Sequence, residues 1–199
     1  MLELYGHELS GNSYKVRLLL ELLAIEYKYI QVDLMKGEHR SPEYLKLNPF
    51  GQVPVLADKD KIIPDAQAIL VYLASKYQSD RWLPKDAESL SKIVRWLSVT
   101  AGEIRQGPES ARLYHLFGAT SVNIEVATNK SLFILDRIEA HLSDRSWLEL
   151  GHPTIADIAV FPYVALARDG KICLDKYPYI LDWIDRMKKI PGFITMAGI

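Results

Sequence analysis

Asn48-Pro49-Phe50-Gly51-Gln52-Val53-Pro54-Val55-Leu56 sets a proline directly ahead of apolar residues that otherwise read as a β-strand. Proline has no N–H to give a sheet ladder, so Pro54 belongs at the first residue of a strand, and in the cis form it turns the preceding backbone outward. Gln52 and Val53 are then expected to offer their peptide groups to something extended. Further on, Asp65 and Ala66 open an apolar helical pattern through Ile69, Tyr72 and Leu73. The free N–H groups of that helix start favour an anion and face the same ligand. Together the two segments point to a small acidic peptide.

Upstream of this stretch, strand and helix signals alternate. Leu2 and Leu4 alternate with Glu3 and Tyr5 as in a short strand, and Val16, Leu19, Leu20 and Leu23 then share one helical face. Tyr27 to Asp33 reads as a second strand, so the two strands and the helix form a βαβ unit with parallel strands and a right-handed crossover. Ser41-Pro42-Glu43-Tyr44 combines an N-cap with proline at the first helical position, predicting a short helix to about Leu47. Downstream, Val53 to Ala57 and Lys61 to Ile63 predict a hairpin, joined by Asp58-Lys59-Asp60.

After Tyr77 the pattern changes. Gln78 to Asp86 has no period and contains Pro84, which places a linker at 79–86 between a domain at 1–78 and another at 87–199. The signals beyond it are helical. Ile93, Trp96, Leu97, Thr100, Ala101 and Ile104 lie on one face of a helix that Gly107-Pro108 is expected to stop. Further helices are expected from about Ser121 to Leu142, from Thr154 onward, and from Pro178 to Ile190. The outline is a small α/β domain followed by an all-helical one.

Bulk properties exclude several classes of function. The 199 residues, 49% hydrophobic, suffice for a sizeable core. A net charge of −1 gives no electrostatic case for nucleic acid or an anionic membrane. No apolar run approaches the roughly 20 residues of a spanning helix, and Met1 leads straight into a strand pattern, so a soluble, cytoplasmic protein is expected. The single cysteine, Cys173, excludes an intramolecular disulfide and a thiolate-rich metal site; its expected role is that of a small buried apolar side chain.

Ser10-Gly11-Asn12-Ser13 lies between the first strand and the first helix, at the carboxyl end of a parallel strand where α/β sheets bind ligands. Gly11 allows close backbone approach, and Ser13 or Asn12 is suited to cap the helix, the plainer reading of Ser10 and Ser13 being that they are caps and turn formers only. A Ser10, His39, Asp65 hydrolase triad fares badly, because Glu8 and Asn12 occupy the glycine places of the nucleophile elbow. The five histidines contain no His-x-x-x-His pair, so no metal site is expected, and no phosphate-binding P-loop occurs.

Taken in order, Ser10-Gly-Asn-Ser-Tyr-Lys-Val16-Arg17, Gly37-Glu38-His39, Asn48-Pro49, Val53-Pro54-Val55-Leu56 and Asp65-Ala66-Gln67-Ala68-Ile69-Leu70-Val71-Tyr72-Leu73 resemble the glutathione S-transferases across nearly the whole chain. The similarity is to the serine-type bacterial, theta, phi and zeta-like members. Thr154-Ile155-Ala156-Asp157 resembles the capping box of the buried helix in their second domain. The resemblance implies an α/β thioredoxin-like N-terminal domain (βαβαββα), an all-α helical C-terminal domain, and glutathione as co-substrate without any cofactor.

Carried over, the resemblance implies Ser10 as the catalytic hydroxyl that hydrogen-bonds the glutathione sulfur, with Asn12 in the sulfur's surroundings. It implies His39 at the glycine carboxylate, assisted by Gln52, and Val53, ahead of Pro54, pairing with the cysteinyl backbone. Asp65 would meet the γ-glutamyl ammonium and the Ala66 N–H the γ-glutamyl carboxylate. Ala66 departs from the family's frequent serine, which predicts weaker glutathione binding. Glu103, Arg105, Gln106 and Arg112 are the candidates for polar groups at the electrophile site. Conjugation of small electrophiles in detoxification is the expected activity, with peroxide reduction as its nearest variant and a non-catalytic binding module as the alternative. Phe50 suggests a symmetric homodimer.

Overall fold

The computed structural model describes residues 1–77 and 80–199. The boundary placed between residues 78 and 79 falls on Gln78 and Ser79, outside the described residues. The chain divides into two compact units, Met1–Ser79 with Pro191–Ala197, and Asp80–Ile190 with Gly198–Ile199.

The first unit is built on a four-stranded sheet in the order β2-β1-β3-β4. β1 (Leu2–Gly6) runs parallel to β2 (Tyr27–Gln31), joined through α1 (Gly11–Leu22), as the βαβ pattern requires. Proline confines β3 to Val55–Asp58, so Val53 stays outside the ladder. β3 pairs antiparallel with β1 and with β4 (Lys61–Pro64). Asp58 is opposite Lys61, so the hairpin loop is Lys59-Asp60 alone, one residue shorter than the sequence suggests. Lys59 closes it at φ 56°.

The helices follow their start signals. Ser41 accepts from the Tyr44 N–H at 3.1 Å and Pro42 opens α2 (Pro42–Leu47). Asp65 accepts from the Ala68 N–H at 3.0 Å and opens α3 (Ala66–Lys76). At α1, Ser10 is the cap rather than Asn12 or Ser13: its Oγ accepts from the Ser13 N–H at 3.2 Å. α1 packs against α3, and Leu4, Val16, Leu18, Leu19, Leu20, Leu56, Ile69 and Leu70 are fully buried. Each such aliphatic side chain contributes roughly 1.5–3 kcal/mol. The Tyr14 hydroxyl donates to the Ile194 carbonyl at 2.6 Å, tying residues 191–197 to this unit.

The second unit is helical. α4 (Ala87–Val99) presents Ile93, Trp96 and Leu97 to the core as its period predicts. The helix does not stop at Gly107-Pro108. It widens over Thr100–Glu109, kinks at Gly107 (φ −99°, ψ −106°) and continues as α5 (Ser110–Phe117). The kink has a packing cause: α6 (Ile124–Leu142) passes so close that a Cβ on Gly107 would lie 3.0 Å from the Ser131 nitrogen. α7 (Ile155–Ala165) is buried and apolar apart from Asp157 in its first turn, and α8 (Pro178–Lys188) packs on α6.

The N-terminus of α7 carries the capping box. Asp157 accepts from the Thr154 N–H (2.9 Å) and hydroxyl (3.3 Å), while Thr154 Oγ1 accepts from the Ala156 N–H. The same carboxylate accepts from the Leu148 N–H and Trp183 Nε1, each at 3.0 Å. Cys173 is exposed rather than buried. It stands between Ile172 and Leu174, both buried.

Candidate active site at one end of the sheet

The strand register assembles the site. Tyr5 near the end of β1 is opposite Val55 at the start of β3, and Val55 is also opposite Pro64 at the end of β4. Gly6 is level with Gln31, the last residue of β2. Four segments therefore leave the sheet at one end: His7 to Ser10, the loop through His39, Gln52-Val53-Pro54, and Asp65-Ala66. No two of them are neighbours in sequence.

Ser10 is half-buried at the N-terminus of α1, where the helix dipole favours negative charge. Its N–H donates to the His7 carbonyl at 3.0 Å. Ser13, in contrast, is fully buried, and its Oγ accepts from the His7 N–H at 3.2 Å. Asn12 Oδ1 accepts from Nζ of the buried Lys15 at 2.7 Å. Tyr5 packs at the strand end with Val32, Tyr44 and Val55, as its position suggests.

The Val53–Pro54 peptide bond is cis. Among the described residues, no hydrogen bond takes up the Val53 N–H or C=O. Gln52 differs from expectation: its carbonyl accepts from the Tyr44 hydroxyl at 3.0 Å and from Asn48 Nδ2 at 2.8 Å. Its main chain is thus fixed from beneath, while its side chain is exposed. Asn48 and Tyr44 serve the site through this one oxygen, and nothing in their spacing announces it.

His39 sits on a single 3-10 turn, Glu38–Arg40, and Gly51 lies against its main chain. The buried Nδ1 of His39 has no partner among the described residues. Burial, with the neighbouring Arg40 cation, holds the imidazole below its ordinary pKa. Asp65 adopts φ 77°, ψ 131°, a sparsely populated conformation for a residue with a side chain. One of its oxygens caps α3, and the Ala66 and Gln67 amides have no intrahelical acceptor. No other group among the described residues takes them.

The four polar residues considered for the electrophile site lie in the helical unit. Glu103 is exposed, Arg105 pairs with Glu109 at 2.5 Å, and Gln106 accepts from Lys130. Arg112 is 2% exposed and its Nε donates to Asp169 at 2.9 Å, so its charge is used in the unit's interior. Among the described residues no helix is long and apolar enough to cross a membrane, and no cluster of three metal-ligating side chains occurs.

A thioredoxin-like sheet unit with an open cis-proline edge, an anion-favouring helix start beside it and a helical unit after it define a class of two-unit proteins whose first unit is suited to an extended acidic ligand. The match to known proteins makes this specific. Residues 1–75 fit the glutathione S-transferase N-terminal domain and residues 134–186 the C-terminal domain. The chain is 33% identical to glutathione S-transferase 3 of Zea mays over 212 residues, covering 100% of this chain and 94% of that one. A glutathione S-transferase structure from Pseudomonas fluorescens superposes with a TM-score of 0.93 at 28% identity, covering 98% of each chain. A glutathione transferase from Phanerochaete chrysosporium, solved with oxidized glutathione, gives a TM-score of 0.87 at 28% identity over 96% of this chain and 92% of that one. The chain belongs to the glutathione S-transferase family of enzymes.

Proposed function

We propose that this enzyme ionises the thiol of glutathione beside Ser10 and directs the thiolate at small electrophiles. The observation that carries the reading is the convergence, at one sheet end, of a hydroxyl on a helix N-terminus, an unpaired peptide edge and a second open helix start. The cysteinyl backbone of glutathione pairs with Val53 ahead of Pro54. Its γ-glutamyl carboxylate meets the Ala66 N–H, its ammonium the uncommitted oxygen of Asp65, and its glycyl carboxylate His39 beside Gln52. The relative from Phanerochaete chrysosporium, solved with oxidized glutathione, supports glutathione as the occupant.

A free thiol with pKa about 8.5 is only roughly 3% ionised at pH 7. Lowering it by two units makes about three quarters thiolate and requires about 2.7 kcal/mol of preference for the anion. A hydrogen bond from the Ser10 hydroxyl to sulfur supplies about 1.5–3 kcal/mol, and the α1 dipole adds roughly 0.3–1. The thiol proton passes to water. The sulfur lone pair then forms the S–C bond as the leaving group departs with its electron pair. No redox or metal cofactor enters this sequence. With a hydroperoxide, the same thiolate attacks the terminal oxygen and the O–O bond breaks; the alkoxide leaves and takes a proton from water as the alcohol, and the glutathione sulfenic acid condenses with a second glutathione to give the disulfide and water.

The proposal extends to a cytoplasmic detoxifying enzyme acting as a symmetric homodimer. Phe50, 85% exposed on the loop before Gln52, is the side chain suited to enter a second copy. The test is thiolate absorbance of the glutathione complex at neutral pH, together with turnover of an aryl halide, in wild type and Ser10→Ala. Loss of both signals is expected in the variant. Equal signals remove Ser10 from the reaction.

A further inference from the structure

We infer that Ser13, a buried residue that never meets the substrate, is the positioning residue for Ser10. Three residues at a spacing of three close a ring of hydrogen bonds. The His7 N–H donates to Ser13 Oγ (3.2 Å), the Ser13 N–H donates to Ser10 Oγ (3.2 Å), and the Ser10 N–H donates to the His7 carbonyl (3.0 Å). Each member gives one bond and receives one, so no single residue moves without breaking two of them. His7 holds the turn once more, through Nδ1, which accepts from the Leu9 N–H at 3.2 Å.

The ring does more than hold a loop. A serine hydroxyl carries one hydrogen and two lone pairs. The Ser13 N–H occupies a lone pair of Ser10 Oγ, so the Ser10 hydrogen cannot point back into the helix and is left for an outside acceptor. An accepted hydrogen bond also polarises the O–H and makes it a better donor. The capping bond thus aims the hydroxyl, and the buried Ser13 oxygen fixes the amide that aims it.

The surroundings of Ser13 are cut to fit. It is fully buried. Gly6 lies beneath it: a Cβ there would sit 2.9 Å from Ser13 Oγ, closer than such contacts allow, and a tight 3.0 Å from Ser13 Cβ. The Tyr29 hydroxyl is equally close to that point, at 2.9 Å, and completes the wall. Gly6 is therefore the residue that lets the start of α1 settle onto β1 with the ring closed.

This inference rests on the Ser10 reading above, and the experiment separates the two. Ser10→Ala, Ser13→Ala and the double variant are compared by kcat, by the thiol pKa from the pH profile, and by affinity for S-methylglutathione, which has no thiol. Ser13→Ala is expected to lower kcat roughly 10- to 100-fold, the scale of a misplaced reacting group. The thiol pKa moves toward the free value, while affinity for S-methylglutathione stays within about twofold. In the Ser10→Ala background the Ser13 change has no further effect. Should Ser13→Ala melt below the assay temperature, Ser13→Cys, similar in shape and a weaker acceptor, carries the same comparison. Loss in Ser10→Ala with none in Ser13→Ala, or independent losses in the double variant, overturns the ring. No loss in either single variant overturns the Ser10 reading and the ring with it.

Discussion

Gly51 rests against the main chain of His39: a Cβ at Gly51 would lie 2.9 Å from the His39 carbonyl oxygen, and Gly51 has φ +58°. One contact thereby joins the Gln52-Val53 edge to the histidine loop. Gly51→Ala is expected to cost about 1–3 kcal/mol of stability through the backbone and to push the two loops apart. The KM for glutathione should rise roughly three- to tenfold with kcat less affected; thermal melts and steady-state kinetics read the two effects separately.

Ala66 opens α3 with a main-chain amide and no side-chain donor. Ala66→Ser is expected to add a donor at the γ-glutamyl carboxylate worth about 1.5 kcal/mol, a roughly tenfold drop in KM for glutathione. Titration with S-methylglutathione checks it. An unchanged affinity places the carboxylate elsewhere.

His39 is held below its ordinary pKa of 6.5, chiefly by burial. The unfolded chain therefore takes up this proton first, and the contribution of neutral His39 to stability, present above that value, is lost as the pH falls through the folded pKa. A carboxylate bound at the imidazole opposes this and raises the pKa. Binding of S-methylglutathione should strengthen below neutrality and take up a proton, measured by calorimetry in two buffers of different ionisation heat. His39→Asn should flatten the dependence, and a flat wild-type profile would remove His39 from the carboxylate.

Asp157 lies wholly inside the helical unit. Burial outweighs its four donors and pushes its carboxyl from 3.8 up to about 6. The folded state holds the proton more tightly, so the contribution is full below the unfolded value and is lost as the pH rises through about 6, a span of about 3 kcal/mol. The melting temperature of the wild type should fall relative to Asp157→Asn between pH 4 and pH 7. Asp157→Ala, which strands the Leu148, Thr154 and Trp183 donors, should cost about 3–5 kcal/mol by chemical denaturation.

Phe50→Asp should weaken self-association at least roughly 30-fold if the ring enters a partner copy. Sedimentation velocity across a dilution series decides it, and an unaltered dimer would assign the contact to another surface.

The parts legible in the sequence were those whose cause is local. Pro54 marks the start of β3, Ser41-Pro42 the start of α2, and Thr154 with Asp157 the cap of α7, because each acts on backbone within a few residues. What escaped depends on partners distant in the chain. Gly107-Pro108 reads as a stop, yet the backbone of Ser131 in α6 supports a kinked continuation. The Gln52 carbonyl reads as open until the fold delivers Tyr44 and Asn48 to it. Cys173 has the composition of a core residue and the orientation of a surface one. Ser10 and Ser13 carry the same side chain, and only burial separates the one that faces outward from the one that does not.

Because Ser10 caps α1, its oxygen belongs to the folding of the domain as well as to the proposed chemistry. In most enzymes these demands conflict, and variants selected for robustness lose their reactive groups first. Here a selection for heat tolerance alone, with no glutathione present, would retain a capping side chain at this position, serine, aspartate or asparagine. Removing it loses a helix cap worth about 1 kcal/mol.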